Sequence, residues 1–164
     1  VSDGQFIDRK NNETLIRSFK NREEKLLLIG DGPLKEKYQN ILVNEQISNV
    51  EIRPYMIKSE LFDLLKGCDA FITLSKEDIY GHTTTEAFAN GLPVISSTNE
   101  VSSRHLIKQG INGFLVNINN EIEIQKALDE TSYRMSEEAI NTAKENTIEA
   151  TAKAIINAIR RIKE

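Results

Sequence analysis

Short, continuous apolar runs alternate with amphipathic stretches along most of this chain, and this alternation is the feature that most restricts its fold. Each run has the length of a β-strand and is apolar at successive positions, which is typical of a strand buried on both faces of a sheet. The clear runs lie at residues 26–30, 50–54, 70–74, 92–96 and 113–116, and a weaker strand is predicted around Gln5 to Ile7.

Helices are predicted between these runs. They lie at about residues 12–19, 33–43, 59–65 and 83–90 and around 106–107, and the chain from about Glu121 onward is predicted to be helix only. Strands that alternate with helices favour a parallel sheet, because the crossover between two parallel strands usually contains a helix. The sequence therefore predicts an α/β fold, a doubly wound, Rossmann-like parallel sheet of five or six strands with helices on both faces and a helical C-terminus. A single domain would span residues 1–164.

Composition argues against several classes of function. The 39% hydrophobic and 28% charged residues are typical of a globular domain, and a net charge of −4 offers no basic surface to nucleic acid. The single cysteine, Cys68, excludes an internal disulfide bond and is interpreted as a small buried residue rather than a nucleophile. The two histidines, His82 and His105, are far apart and no cysteine pair exists, so no metal site is predicted.

The loops that follow the strands are the candidate functional segments. In parallel α/β sheets, ligands bind beyond the carboxyl ends of the strands. The loops expected at that edge lie at residues 8–12, 30–33, 53–57, 75–83 and 97–103.

The loop "GDGP" carries Gly30 and Gly32 on either side of an acid. Glycine permits a positive φ and a close approach by a ligand, and the helix that follows offers free N–H groups to an anion. A tight turn into a helix that starts at Pro33 explains the same residues without a ligand. The spacing matches neither a P-loop nor G-x-G-x-x-G.

The segment "SKEDIYGHTTTEAFANGLPV", residues 75–94, is the richest in polar groups. Gly81 ends its loop, and the helix is predicted to start at His82 or Thr83, so that its first N–H groups could hold a diphosphate. The carboxylate of Glu86 could accept two hydrogen bonds from the vicinal diol of a ribose. Thr83 and Glu86 also have the spacing of a capping box, which needs no ligand.

Two further loop residues have a functional and an ordinary interpretation. Lys10 could neutralise a phosphate, or it could be a solvated lysine beside Arg9. Tyr55 could lie against a nucleobase, or it could be a partly exposed loop tyrosine. Likewise Asp78 could be a solvated loop acid. The joint placement of these features at one sheet edge favours a site for a nucleoside diphosphate.

In their order along the chain, these motifs resemble the C-terminal, donor-binding domain of the group 1 (family 4) glycosyltransferases, which have the GT-B fold. The resemblance covers nearly the whole chain, from "DGQFIDRKNNETLIRSF" through "LLLIGDGPLKEKYQ" and "NVEIRPY" to "LIKQGINGFLV". The most specific part of the resemblance is a pattern in residues 75–94. It begins with a serine, has an acid three positions later and a Glu-Ala pair eight positions after that acid, and ends with Gly-x-Pro-Val. The residues that fill this pattern are Ser75, Asp78, Glu86, Ala87, Gly91, Pro93 and Val94.

The resemblance implies a role for each matching residue. Glu86 would bind the ribose hydroxyls, Asp78 would contact the donor sugar, and Lys10 would offset charge on the leaving diphosphate. The other residues implied to bind the donor are Gln5, Gly30, Gly32, Tyr55, Met56, Ser75, Gly81, His82, Thr83 and Thr84. The resemblance implies neither a metal nor a cofactor, since the nucleotide sugar is itself the substrate.

The activity implied is the transfer of a hexose, with retention of configuration, from a nucleoside-diphosphate sugar to a glycan or lipid-linked acceptor in cell-surface polysaccharide synthesis. The acceptor would bind an N-terminal domain that this chain lacks, and the chain alone is expected to bind donor weakly and transfer nothing. A cytoplasmic location is expected, with any membrane contact peripheral and at the inner face. The final helix, with a stripe at Ile148, Ala152, Ile155, Ile159 and Ile162, would pack near the domain junction.

Several residues depart from the family pattern. Asp78 stands where glutamate is usual, Gln5 stands where arginine is common, "NEVSS" at 99–103 replaces a glycine-rich loop, and His105 occupies a usual glutamate position. A neutral amide stabilises an accumulating negative charge less well than a guanidinium does. Two alternatives therefore stay open. One is a non-catalytic domain that binds a nucleotide or stabilises a partner, and the other is a related nucleotide-sugar enzyme such as an epimerase or a phosphorylase.

Overall fold

Six strands alternate with helices in the computed structural model, which describes residues 1–78 and 81–162 except for the side chains of residues 151, 154, 158, 161 and 162. The strands are β1 (Ser2–Asp3), β2 (Leu26–Ile29), β3 (Val50–Arg53), β4 (Phe71–Thr73), β5 (Val94–Ser97) and β6 (Gly113–Val116). The helices are α1 (Asn12–Ser18), α2 (Lys35–Asn44), α3 (Lys58–Leu65), α4 (Thr83–Ala89), α5 (Val101–Leu106), α6 (Glu121–Glu130), α7 (Ser136–Glu145) and α8 (Ile148–Ile162). Short 3-10 turns lie at Asp8–Lys10 and Tyr133–Met135.

All the strand pairs described are parallel, and they form two three-stranded sheets, β1-β2-β3 and β4-β5-β6. The sheets meet at Val1, whose amino group donates to the carbonyl of Ala70 and whose carbonyl accepts from the N–H of Ile72, both at 2.8 Å. In space the strands thus follow the order 3-2-1-4-5-6. The predicted α/β class with parallel strands is confirmed, although the strands form two sheets of three because β1 is too short to pair fully with both neighbours.

The weak strand predicted around Gln5 to Ile7 is wrong, because β1 ends at Asp3 and those residues lie in a loop. The apolar signal there comes from Phe6, which is fully buried and packs edge-on against Tyr38, with ring centroids 5.5 Å apart. The N–H of Phe6 donates to the carbonyl of Asp31 at 2.8 Å. Phe6 therefore anchors a loop to the core instead of extending the strand.

Helices cover both faces of the sheets, as successive strand residues show. Leu28 and Ile72 point into one core cluster, which also contains residues of α1, α2 and α6. Their neighbours Ile29 and Phe71 point into a second cluster, which contains residues of α3, α4 and α7. Adjacent side chains of a strand point to opposite faces, so each face buries its own apolar layer. Because the paired strands are parallel, their carboxyl ends lie at the same edge.

The last helix, α8, exposes much of its apolar stripe. The exposed fractions are 85% for Ile148, 56% for Ile155 and 49% for Ile159, and Ile162 lies outside the described side chains. Among the residues that the structure describes, no helix is both long enough and apolar enough to cross a membrane.

Candidate functional site

Two loops at the carboxyl edge are joined by hydrogen bonds between residues far apart in the chain. The N–H of Lys76 donates to the carbonyl of Arg9 at 2.8 Å, and the side-chain amide of Asn11 donates to the carbonyl of Leu74 at 3.0 Å. Asn11 adopts a left-handed conformation with φ of 53°, which asparagine tolerates, just before α1 begins. These contacts place the 3-10 turn at Asp8–Lys10 beside the segment that follows β4.

Lys10 and Asp78 form an ion pair at this junction, with Nζ 2.9 Å from Oδ2. Both side chains are largely buried, at 14% and 12% exposure, and a guanidinium nitrogen of Arg9 lies 3.5 Å from the same carboxylate oxygen. A Cβ at Gly81 would lie only 3.2 Å from that oxygen, so a glycine suits the close approach. The structure thus brings together Lys10, Asp78 and Gly81, three of the residues that the sequence assigns to the site.

An open cleft of about 370 Å³ lies beside this junction, between the ends of β1 and β2 and the helices α3 and α4. Its lining includes five of the predicted donor-binding residues, namely Gln5, Gly30, Tyr55, Met56 and Glu86. Ligand sites in proteins commonly have volumes of about 300–1,000 Å³. The cleft is therefore of a size that suits a small ligand.

Glu86 directs its carboxylate into the cleft. Lys58 donates a hydrogen bond from Nζ to its Oε1, and the carboxylate is about one-fifth exposed. Within the described residues no side chain caps α4, whose N-cap is His82, so the capping box between Thr83 and Glu86 does not form. The interpretation of Glu86 as a helix cap is wrong, and its acceptor oxygens face the cleft instead.

Gly30 and Gly32 allow close contact between two backbone segments. Their φ angles are 149° and 154°, in the range that favours glycine. A Cβ at Gly30 would lie 1.9 Å from the carbonyl oxygen of Gly4, and one at Gly32 would lie 2.7 Å from that of Phe6. Both glycines are therefore required by packing of the loop after β2 on the loop after β1. Gly30 also lines the cleft.

Asp3 is a cleft residue that the sequence analysis missed. The pKa of its carboxyl is raised to about 6, mainly by burial and also by the neighbouring Glu86, while Lys10 and Lys58 act in the opposite direction. Its position offers a signal that could have found it, since Asp3 ends β1 and directly precedes Gly4 at the carboxyl edge. Asp3 and Glu86 are thus neighbouring acids of the cleft, of which only Glu86 was predicted.

Glu100 is a second missed acid, in the segment "NEVSS" at residues 99–103. It is 1% exposed, and its carboxylate accepts a hydrogen bond from the hydroxyl of Thr73 at 2.6 Å. Burial is the main reason why the pKa of Glu100 is raised. The N–H of the next residue, Val101, donates to the carbonyl of Asp78 at 3.1 Å. Glu100 therefore lies behind Asp78 and ties its loop to β4.

The polar residues between the end of β4 and the first turn of α4 differ in their exposure to solvent. Ser75 and Thr84 are fully buried, and their hydroxyls lie near those of Thr73 and Ser103, at 3.2 and 2.8 Å respectively. His82 is exposed, and Thr83 is half-buried. The predicted loop at 75–83 includes Ile79 and Tyr80, which lie outside the described residues. Across residues 1–78 and 81–162, no group of three or more His, Cys, Asp or Glu side chains is arranged to hold a metal ion.

Comparison with known proteins gives matches over most of the chain. A family model described as "Glycosyl transferases group 1" matches residues 1–161. The uncharacterized glycosyltransferase MJ1178 of Methanocaldococcus jannaschii is 27% identical over 125 residues, which make up 76% of this chain and 35% of that protein. The chain spans about a third of the length of this curated relative.

Solved structures share the fold. The apo form of the lipopolysaccharide outer core galactosyltransferase WaaB has a TM-score of 0.86 and 22% identity, over 98% of this chain and 48% of that one. Anabaena Alr3699/HepE in complex with UDP has a TM-score of 0.80 and 18% identity, over 98% of this chain and 48% of that one. At these identities the likeness establishes the fold, and this chain covers about half of each structure.

Proposed function

Because the chain belongs to the group 1 glycosyl transferases, we propose that it is the donor-binding part of a glycosyltransferase. The reaction proposed is transfer of a hexose, with retention of configuration, from a nucleoside-diphosphate sugar to a glycan or lipid-linked acceptor during cell-surface polysaccharide synthesis. The acceptor would bind a further domain of a longer protein, at the inner face of the membrane.

The observation that carries this proposal is the cleft at the carboxyl edge, where Glu86, Tyr55 and Met56 line one volume. The cleft lies where the strand order reverses direction, between β1 and its neighbours, and ligands of doubly wound folds bind at such a point. Glu86 offers acceptor oxygens to the two hydroxyls of a ribose. Tyr55, at 72% exposure, offers an accessible aromatic surface at the rim. These features suit a nucleoside.

The chemistry assigned to the site is electrostatic. As the bond between the sugar and the diphosphate breaks, negative charge grows on the leaving diphosphate, and donors fixed in place before the reaction stabilise that charge. Lys10 is proposed to face the diphosphate and Asp78 the sugar. The ion pair between them holds the two groups together, and the Lys10 side chain lies next to Gly4, which lines the cleft. No protein nucleophile is assigned.

The structural relatives support the choice of donor class. HepE was solved in complex with UDP, and WaaB is a galactosyltransferase of the lipopolysaccharide outer core. A uridine nucleotide and a hexose are therefore the first donor components to test.

One observation favours a second candidate, a non-catalytic domain that binds a nucleotide. Gln5 carries no charge where the family commonly has arginine, and the charge of Lys10 is partly offset by Asp78. Such a domain would bind the nucleotide but would not stabilise the leaving group.

Nucleotide binding tests the proposal. We expect titration calorimetry to show that the chain binds one of UDP, GDP and ADP in preference to its nucleoside. Glu86→Ala should weaken that binding at least roughly tenfold, because it removes two charge-assisted hydrogen bonds. Glu138→Ala is the matched control, since Glu138 also lies on a helix and pairs with a lysine, Lys108, and neither residue lines the cleft. Equal affinities for the two variants would refute the proposed role of Glu86.

A further inference from the structure

The charge balance of the cleft is unfavourable for a diphosphate. Three acids line it, Asp3, Asp31 and Glu86, and Gln5 is neutral. Of the lining residues that the structure describes, only Lys58 carries a positive charge. Because phosphate groups bind through charge-assisted hydrogen bonds, a diphosphate that enters this cleft needs a cation to offset the acids.

Lys10 meets this need only in part. Its ammonium donates to Asp78 at 2.9 Å, and both side chains are largely buried, so this ion pair is held in place by its surroundings. Breaking a buried pair leaves an uncompensated charge and is strongly unfavourable. Lys10 is thus expected to stay with Asp78 while it faces the ligand.

Lys58 is under no such constraint. It is the first residue of α3, its side chain is 70% exposed, and its hydrogen bond is to Glu86, across the cleft. An ion pair whose lysine is exposed to solvent contributes little to stability, and the side chain of lysine is a flexible four-carbon chain. Lys58 can therefore leave Glu86 at little cost.

Binding of a nucleotide would displace Lys58 from Glu86. The ribose hydroxyls proposed to bind the Glu86 carboxylate are hydrogen-bond donors, and they would compete with Lys58 for Oε1, the oxygen that now accepts from it. We propose that Lys58 is a diphosphate-binding residue of this site, held on Glu86 in the free protein and released to the phosphates when the ribose takes its place. This inference rests on the proposed function. It assigns to α3 the positive charge that Gln5 does not provide.

The test compares a diphosphate with its nucleoside by titration calorimetry. UDP and uridine are the probes, or the corresponding guanosine or adenosine pair if that diphosphate binds better. Lys58→Gln should weaken the binding of UDP at least roughly tenfold, because the phosphates lose a partner. Uridine, which has no phosphates, should bind to this variant as tightly as to the wild type or more tightly. Lys58→Arg, which keeps the charge, should retain most of the affinity for UDP.

Lys66→Gln is the matched control. Lys66 follows α3 at its other end, is 67% exposed and pairs with Asp63, so its loss should leave both affinities unchanged. An unchanged ratio of UDP to uridine affinity in Lys58→Gln would overturn the inference, and so would equal tightening of both ligands, which would make Lys58 a simple obstruction. If the wild-type chain binds none of the three diphosphates, the proposed function itself fails.

Discussion

Asp3 couples the stability of the protein to pH. Burial beside Glu86 raises the pKa of Asp3 from 3.8 to about 6. An acid whose pKa is higher in the folded than in the unfolded protein stabilises the fold most below its unfolded pKa. That contribution is lost as the pH rises towards the folded value. The window for this loss is therefore about pH 4 to 6.

Asp3→Asn should remove this dependence. Relative to the variant, the wild type should lose about 2 kcal/mol of unfolding free energy between pH 4.5 and pH 7.5. Urea unfolding of both proteins at the two pH values measures the difference, and Asp63→Asn, at an exposed helix position, is the control. A constant difference between wild type and Asp3→Asn across this range would show that Asp3 titrates normally.

Single residues also show how far sequence alone can identify this site. The position of Glu86 in a family pattern and the first glycine of "GDGP" were sufficient to predict two residues that line the cleft, whereas Gly32 packs against Phe6 and is not among the lining residues. Lys58 was not predicted, because its significance comes from a contact with Glu86, 28 residues away, that no local pattern encodes. Glu100 was missed for the same reason, since its partner Thr73 lies 27 residues away.

At the scale of elements, the cleft depends on how closely the loops after β1 and β2 pack. Gly30→Ala should destabilise the protein by more than about 3 kcal/mol or prevent folding, because its Cβ would meet the carbonyl oxygen of Gly4 at 1.9 Å. Gly67→Ala is the control, since its nearest neighbour would be at an ordinary 3.6 Å. Thermal unfolding measures both. A similar small change in the two variants would contradict the packing described.

The strands that are formed by apolar runs of four or five residues were predicted well, and the two-residue strand β1 was not. The strands from β2 to β6 lie within two residues of their predicted bounds, because each is a buried apolar run between turn residues. The strand β1 has only two residues, and its pairing depends on β2 and on contacts at Val1 that are distant in sequence. The apolar residue nearby, Phe6, belongs to the core without belonging to a strand.

At the scale of the whole molecule, the apolar stripe of α8 is largely exposed to solvent. Ile148 and Ile155 are more than half exposed, and the chain spans about half of the solved structures that it resembles. We expect the remainder of a longer protein to cover this face. The amide hydrogens of α8 should then exchange quickly in the isolated chain and at least tenfold more slowly in the longer protein. Equally fast exchange in both would contradict this expectation.

The central claim is that this edge of the sheet binds a nucleoside diphosphate through Glu86. A crystal structure of the chain with UDP tests it most directly. We predict that the ribose hydroxyls lie within hydrogen-bonding distance of the Glu86 carboxylate, that the base lies against Tyr55 and Met56, and that Lys58 has moved to the phosphates. UDP bound elsewhere, or bound in the cleft with Lys58 still on Glu86 and the ribose pointing away, would contradict the account.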